Sequence, residues 1–306
     1  MRPVAIVNPR AAGGKTARAW KEIAATLGPV ETRYTEAPNH AATLVREAIG
    51  GGARRIIAVG GDGTVNEIAN GLIEDGRPFD PRVSLAVMPF GTGGDYRKSL
   101  GIRDVESAVR LIREDAPALP TDAGRIVYRS HEGTTESRYF VNVVSFGMGG
   151  EVAAGARNWF SRFGGKAGFF YSTLRAFFSY QAQTVELTVD GERAPLRPAM
   201  NIAVGIGRYH GGGMHVCPRA RLDDGLLEIT KIRQLPFWEL LRDIHVLYSD
   251  NIYAHKKVRH FRGKSIRASA SGRVAIEVDG EPLGCLPVEI DVLPGVLSVV
   301  RLAGPR

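Results

Sequence analysis

Three times in the first part of the chain, a short apolar run ends in a glycine-rich turn and is followed by an amphipathic stretch. Val4 to Val7 leads into Asn8-Pro-Arg-Ala-Ala-Gly-Gly-Lys15. Ile56 to Val59 leads into Gly60-Gly-Asp-Gly-Thr-Val-Asn-Glu67, and Leu85 to Met88 leads into Pro89-Phe-Gly-Thr-Gly-Gly-Asp95. The second turn is followed by Val65, Ile68, Ala69 and Leu72 at i, i+3, i+4 and i+7, the spacing of one helix face. Similar faces follow the first turn (Trp20, Ile23, Ala24, Leu27) and the third (Val105, Ala108, Val109, Ile112). With a fourth strand at Glu31 to Tyr34 and a helix through Ala41, Leu44, Val45 and Ala48, the order is strand, helix, strand, helix. That order predicts an α/β domain with a doubly wound, mostly parallel sheet, whose ligands bind beyond the carboxyl ends of the strands. All three glycine turns fall on that edge. Strand, glycine turn and helix together aim backbone N–H groups at a phosphate.

Asp62 sits in the middle of the second turn. A carboxylate facing a phosphate is repulsive unless a cation or a proton lies between, so the turn suggests nucleotide, metal and catalytic acid together. Lys15 and Thr16 follow the first turn without the spacing of a phosphate loop. They suit a phosphate contact or an ordinary strand-to-helix turn equally well.

The length of 306 residues suits two domains or one large one. The net charge of +8 favours anionic partners such as nucleotides or acidic membrane surfaces, while no motif supports nucleic acid. No apolar run reaches the roughly 18 residues of a membrane span. With no leader segment visible, a cytoplasmic protein is expected. Cys217 and Cys285 have no ligand-like spacing, and neither do His245, His255 and His260.

The texture changes near residues 118–124, which sets domains at 1–121 and 122–306, with 295–306 free to pack back on the first. Beyond that point Arg138 to Phe146, Thr184 to Val189, Met200 to Ile206, Leu226 to Ile232, Arg273 to Val278 and Val288 to Leu293 read as strands of a β-sandwich. Asp190-Gly191 and Asp279-Gly280 are turn signals. Two segments combine apolar and basic residues. Asn158 to Tyr180 is rich in Phe, Tyr and Trp among Arg and Lys, and His255 to His260 follows a helix-like run from Pro236 to Tyr248. Each suits either a membrane surface or ordinary packing and solvation.

The three turns, with Gly212-Gly-Met-His-Val-Cys-Pro218, Asp223-Asp-Gly-Leu-Leu227 and Asp279-Gly-Glu-Pro282, resemble the diacylglycerol kinase catalytic-domain family, and above all its soluble bacterial lipid kinases. The likeness runs in order from residue 8 to about 284. The Gly-Gly-Asp-Gly-Thr core alone is shared with NAD kinases and phosphofructokinases, and its continuation to Asn70-Gly-Leu72, together with the Asp223 to Leu227 and Asp279 to Pro282 motifs, narrows it to the lipid-kinase branch.

The resemblance implies an NAD kinase/phosphofructokinase-like first domain and an ATP-dependent, Mg-dependent lipid kinase acting on diacylglycerol or a similar lipid. It places the nucleotide on Asn8, Pro9, Lys15, Thr35, Gly60, Gly61, Asp62, Gly63, Thr64, Asn66, Glu67, Gly91 and Thr92. It makes Glu281 the proton acceptor, with Asp279 beside it and with Asp62 and Asp95 serving the metal on ATP. It places a structural magnesium on Asp224 and the carbonyls of Arg221 and Leu226, although Asp223 and Asp224 could equally be a turn. It implies transient contact with an anionic membrane surface at the inner face, and leaves a homodimer open. Gly94 departs from the family pattern, which has asparagine there. A kinase for another hydroxyl (a sphingoid base, a polyprenol or NAD) and a non-catalytic ATP or lipid sensor are the competing readings.

Overall fold

The computed structural model describes residues 2–90, 94–163 and 180–302. The chain divides into two compact units. The first comprises Met1–Ala123, Leu222–Asp224 and Leu293–Arg306, and the second Gly124–Arg221 and Gly225–Val292.

In the first unit, β1 (Val4–Val7), α1 (Thr16–Leu27), β2 (Glu31–Tyr34), α2 (His40–Gly50), β3 (Arg55–Gly60) and α3 (Asp62–Leu72) alternate. They are followed by β4 (Ser84–Pro89), α4 (Asp95–Ser99) and α5 (Val105–Arg113). The strands pair in parallel in the order β2-β1-β3-β4. The end of the last strand, β14 (Glu281–Val300), closes the row, with Val299 parallel to Leu85. Strand β1 is apolar along its whole length and β3 is apolar and buried from Ile56 onward, on both faces, as a helix-covered parallel sheet requires. Helix α2 packs on α3, and α1 on α5, one pair to each face. The α2–α3 approach depends on Gly71, where a Cβ would lie 2.8 Å from the Ala42 carbonyl oxygen. This is the physical reason for a glycine in the Asn70-Gly-Leu72 continuation. The doubly wound parallel sheet read from the sequence is the observed one.

The second unit is antiparallel. It contains β5 (Ala118–Ser130, from Gly124 onward), β6 (Thr135–Phe140), β7 (Val143–Gly147), α6 (Met148–Phe163), β8 (Gln183–Val189), β9 (Asn201–Gly205) and β10 (Leu227–Ile232). These are followed by α7 (Phe237–Asp243), β11 (Val258–Gly263), β12 (Ser265–Ala270), β13 (Ala275–Val278) and the first part of β14. One row runs β11-β10-β9-β7-β13-β14, and β14 also pairs with β12, which pairs with β8. The expected sandwich strands are present, with four corrections. Arg138 to Phe146 is two strands, because Val141 and Asn142 turn between β6 and β7. Ala118 to Asp122, where the boundary is expected, is the start of a strand that runs on to Ser130. The basic stretch His255 to His260 runs into β11, which the sequence hides because only Val258 and Gly263 of that strand are buried. Strand β12 escapes the sequence because its inward residues are just Ile266 and Ala268, set among Ser265, Arg267 and Ser269, a weak signal for a strand. The helix-like run from Pro236 to Tyr248 is α7 followed by a 3-10 turn, Ile244–Tyr248.

Candidate functional site

The parallel register aligns the first unit's turns. Val7 lies opposite both Tyr34 and Val59, and Gly60 lies opposite Pro89. Asn8, Thr35, Gly61 and Phe90 therefore leave the sheet side by side. Backbone bonds hold them there: Asn8 N–H donates to the Val59 carbonyl at 3.0 Å, Thr35 N–H to Val7 at 2.9 Å, and Phe90 N–H to Gly60 at 2.8 Å. The Asn8 amide also donates to the Thr64 hydroxyl at 3.2 Å, tying the first turn to the start of α3. Pro9 lies in the same turn. Ala12, Gly13 and Gly14 are all left-handed, so the chain curls tightly before Lys15, which is exposed.

Helix α3 begins at Asp62 behind an extended Gly61, and no side chain caps it. Its first turn, Asp62-Gly63-Thr64, has backbone N–H groups without partners inside the helix. The Asp62 carboxylate accepts N–H bonds from Asp95 (3.1 Å) and Tyr96 (3.3 Å), and so caps the short helix α4. A carboxylate at the head of a phosphate-type turn is the kind of oxygen donor that a hard cation takes. The Asp95 carboxylate is buried and paired with Lys98 at 2.9 Å. Asn66 is fully buried, and it accepts from the Asn70 amide through both its carbonyl and its side chain. Glu67 accepts the Ala41 N–H at 3.2 Å, near the start of α2. These two residues, read as nucleotide contacts, hold helices in place. Gly91 and Thr92 lie outside the described residues, as does most of the aromatic segment Asn158 to Tyr180. Its last residue, Tyr180, packs against the cluster of Met200, Ile232, Leu235, Ile252 and Val258.

Gly94 is left-handed at φ 57°, a conformation that asparagine tolerates better than most residues. A Cβ there would lie 2.6 Å from Arg97 Nε. The Arg97 side chain fills the space a residue 94 side chain would use, and its guanidinium bonds the carbonyls of Ile102 and Arg103. Asparagine is compatible with this backbone, so what a side chain at 94 would disturb is the space that Arg97 fills.

In the second unit, the Val278-Asp-Gly-Glu281 turn has Asp279 at φ 49° and Gly280 at φ 89°. Asp279 is 6% exposed. Its carboxylate accepts three backbone N–H bonds at 3.0 Å each, from Val141, Asn142 and Val143. It therefore clamps the β6–β7 turn and is not itself available as a base. Glu281 is partly exposed, and its carboxylate pairs with Arg138 at 2.9 Å. Arg138 was read only as the start of a strand, and no spacing rule marks a half-buried arginine as a partner. Nearby on β5, the Tyr128 hydroxyl donates to Glu136 at 3.0 Å; burial, aided by that bond, pushes the phenol up to about 12.

Arg221, Asp224 and Leu226 lie in one turn that passes through a left-handed Gly225. A carboxylate with main-chain carbonyls is a hard-oxygen donor set, suited to Mg²⁺ or Ca²⁺. Asp223 is taken by other work: it pairs with the buried Arg301 at 2.8 Å, and Arg301 also bonds Thr121 and the Pro120 carbonyl. With Asp122 accepting the Gly295 N–H at 2.7 Å, this network joins Leu222–Asp224 and the tail of β14 into the first unit. Among the described residues, the cluster of three metal-type side chains is Glu239, Asp243 and His255, but Lys257 and Arg242 already pair with its acids.

A parallel α/β unit bearing phosphate-type turns, with an antiparallel β-sandwich unit, is the architecture of the NAD kinase-like proteins. Comparison with known proteins is in keeping with this. Residues 2–126 match the diacylglycerol kinase catalytic domain, and residues 142–301 match the YegS C-terminal NAD kinase beta sandwich-like domain. A protein of Pseudomonas fluorescens named "Probable lipid kinase YegS-like" is 30% identical, over 88% of this chain and 85% of its own. One of the same name from Pseudomonas aeruginosa is 28% identical, over 98% and 94%. The crystal structure of a diacylglycerol kinase from Bacillus anthracis shares the fold at a TM-score of 0.70 and 22% identity, covering 98% of this chain and 97% of that one. Yeast NADH kinase shares it at 0.53 and 12% identity, covering 98% and 82%. The chain belongs to the YegS-like lipid kinases of the diacylglycerol kinase catalytic-domain family.

Proposed function

We propose that the protein transfers the γ-phosphoryl group of ATP to the hydroxyl of diacylglycerol or a closely similar lipid. The observation that carries this reading is the pair Glu281–Arg138, set on a turn that Asp279 fixes with three N–H bonds. Phosphoryl transfer asks the protein mainly for positioning and charge compensation. The N–H groups at the start of α3 and the Asn8–Thr64 pair suit the nucleotide phosphates. Asp62, with Asp95 beside it, offers carboxylate oxygen for the magnesium that accompanies ATP, which when bound neutralises phosphate charge. Glu281 accepts the hydroxyl proton as the lipid oxygen bonds to phosphorus and the bond to the departing ADP oxygen breaks. Arg138 is a positioning residue: its ion pair holds the carboxylate in one place until the lipid arrives. Asp224, with the carbonyls of Arg221 and Leu226, would hold a second, structural cation.

The test is phosphate transfer from labelled ATP to a panel of lipids dispersed in non-ionic micelles: diacylglycerol, a sphingoid base and a polyprenol, with NAD alongside. Labelled diacylglycerol phosphate is the expected product. Label on NAD or another acceptor alone would replace the substrate, and ATP binding without any product would leave a regulator. Chelation and Asp224→Ala are both expected to lower the melting temperature, and no change in either would remove the structural cation.

A further inference from the structure

A surface helix normally turns its apolar side inward and its polar side to water. The segment from α7 through the following 3-10 turn, residues 237–248, departs from this. Its inner side is apolar as expected: Val246 and Leu247 pack with Tyr253 on the Met200, Ile232, Leu235, Ile252 and Val258 cluster. The Leu247 carbonyl accepts the His215 N–H at 2.6 Å, pinning the segment to the unit. Yet its outer side carries Trp238 at 78% exposure, Tyr248 at 55% and Ile244 at 46%. They are three of the six large hydrophobic residues found most exposed among the described residues.

The charge around them is one-sided. From Lys231 to Arg262 there are seven Lys and Arg against three acids, a net +4 that is half of the whole chain's +8. All three acids are neutralised locally. Glu239 pairs with Lys257, Asp243 with Arg242 and His255, and Asp250 with Arg208 and His215. The Lys257 bond holds the Glu239 carboxyl below the usual range, so this pairing persists at neutral pH. Arg233, Lys256 and Arg259 remain exposed cations close in sequence to the apolar residues. Aromatic and aliphatic side chains with a basic fringe match a bilayer interface bearing anionic headgroups, where rings sit at headgroup depth and each nearby cation adds attraction.

We infer that the face formed by Trp238, Ile244 and Tyr248, fringed by Arg233, Lys256 and Arg259, is the surface by which this protein docks on an anionic lipid bilayer. The inference deepens the lipid-kinase reading and rests on it, because it names where the enzyme meets the phase that holds its substrate. The segment lies in the same unit as Glu281.

The test uses the full chain and vesicles, without ATP. Wild type is expected to sediment with phosphatidylcholine vesicles containing phosphatidylglycerol and to bind phosphatidylcholine alone more weakly. The Trp emission should shift to the blue, and Trp238→Phe should remove the shift. Trp20 is buried and will not respond, and the measurement is made in a Trp159→Phe background so that the third tryptophan does not contribute. Trp238→Ala combined with Tyr248→Ser is expected to weaken binding to both vesicle types by about tenfold. Lys256→Gln and Arg259→Gln should each weaken only the anionic-lipid binding, by about fivefold. These side chains are exposed, so the melting temperatures should stay at the wild-type value.

Undiminished vesicle binding by the double variant would overturn the inference. So would a wild-type dimer that the double variant converts to monomer while vesicle binding persists, since the face would then belong to a second copy. The micelle assay keeps the two readings apart. If wild type phosphorylates no lipid in micelles, the kinase reading fails whatever the vesicles show. If wild type and double variant are equally active in micelles and bind vesicles equally, only the docking surface fails.

Discussion

The tetrapeptide Val-Asp-Gly-Glu occurs twice in the second unit, at 189–192 and at 278–281. Both copies fold into the same two-residue turn. Asp190 and Gly191 have φ of 50° and 86°, and Asp279 and Gly280 have 49° and 89°. In both, the aspartate accepts backbone N–H bonds from a neighbouring connection: Asp190 from Lys264 and Ser265 at 2.8 Å, and Asp279 from Val141, Asn142 and Val143. The difference is burial and what the glutamate meets. Asp190 and Glu192 are exposed, and Glu192 pairs only as the edge of a two-residue strand. Asp279 is buried, and Glu281 is fixed by Arg138. Identical local sequence gives identical backbone, and its surroundings decide whether the turn is a hairpin end or the mount for a reactive group.

The comparison can be broken at several points. The largest effect is expected at the two glutamates. Glu281→Gln should lower turnover by about 10²–10⁴ with ATP affinity little changed, the usual worth of a general base, while Glu192→Gln leaves turnover at wild type. Steady-state kinetics on both variants reads this directly, and equal effects would erase the distinction. Next come the aspartates. Asp279→Ala strands buried N–H groups and should cost about 3 kcal/mol or more in urea unfolding, whereas Asp190→Ala, with water able to replace it, should cost about 1 kcal/mol at most. Arg138→Met tests the mount. It should reduce turnover by about tenfold with a small change in melting temperature, as expected for a positioning residue rather than a base. A loss of stability matching the loss of rate would make Arg138 merely structural. The smallest effect lies in the other unit. Gly94→Asn should change stability by less than about 1 kcal/mol, because asparagine accepts the left-handed conformation and Arg97 can swing aside, while Gly94→Val should cost more.

The regular parts of the chain were legible because they depend on local pattern. Four-residue apolar strands, helix faces and glycine turns sit where periodicity puts them, and the alternation alone defines a parallel sheet with its turns on one edge. Less legible was the work of single polar residues. Glu67 and Asn66 lie within a phosphate-type motif, yet the one bonds a backbone N–H at the start of α2 and the other is buried in helix packing. Asp223 and Asp224 are adjacent and chemically alike, but Asp223 is taken by Arg301, from nearly eighty residues later. Arg138 carries no signal in sequence, because an ion pair to Glu281 needs segments more than a hundred residues apart to be brought together by the sheet.

By itself the sequence determined the two-part architecture, the strand-turn-helix edge that suits a nucleotide, and the turn that ends at Glu281. These follow from backbone preferences and hydrophobic period, which act over a few residues. Only the tertiary structure decided which copy of Val-Asp-Gly-Glu is buried, which acids cap helices or clamp loops, and that Trp238, Ile244 and Tyr248 face outward. Those outcomes depend on desolvation and on partners distant in the chain, and no local pattern encodes either.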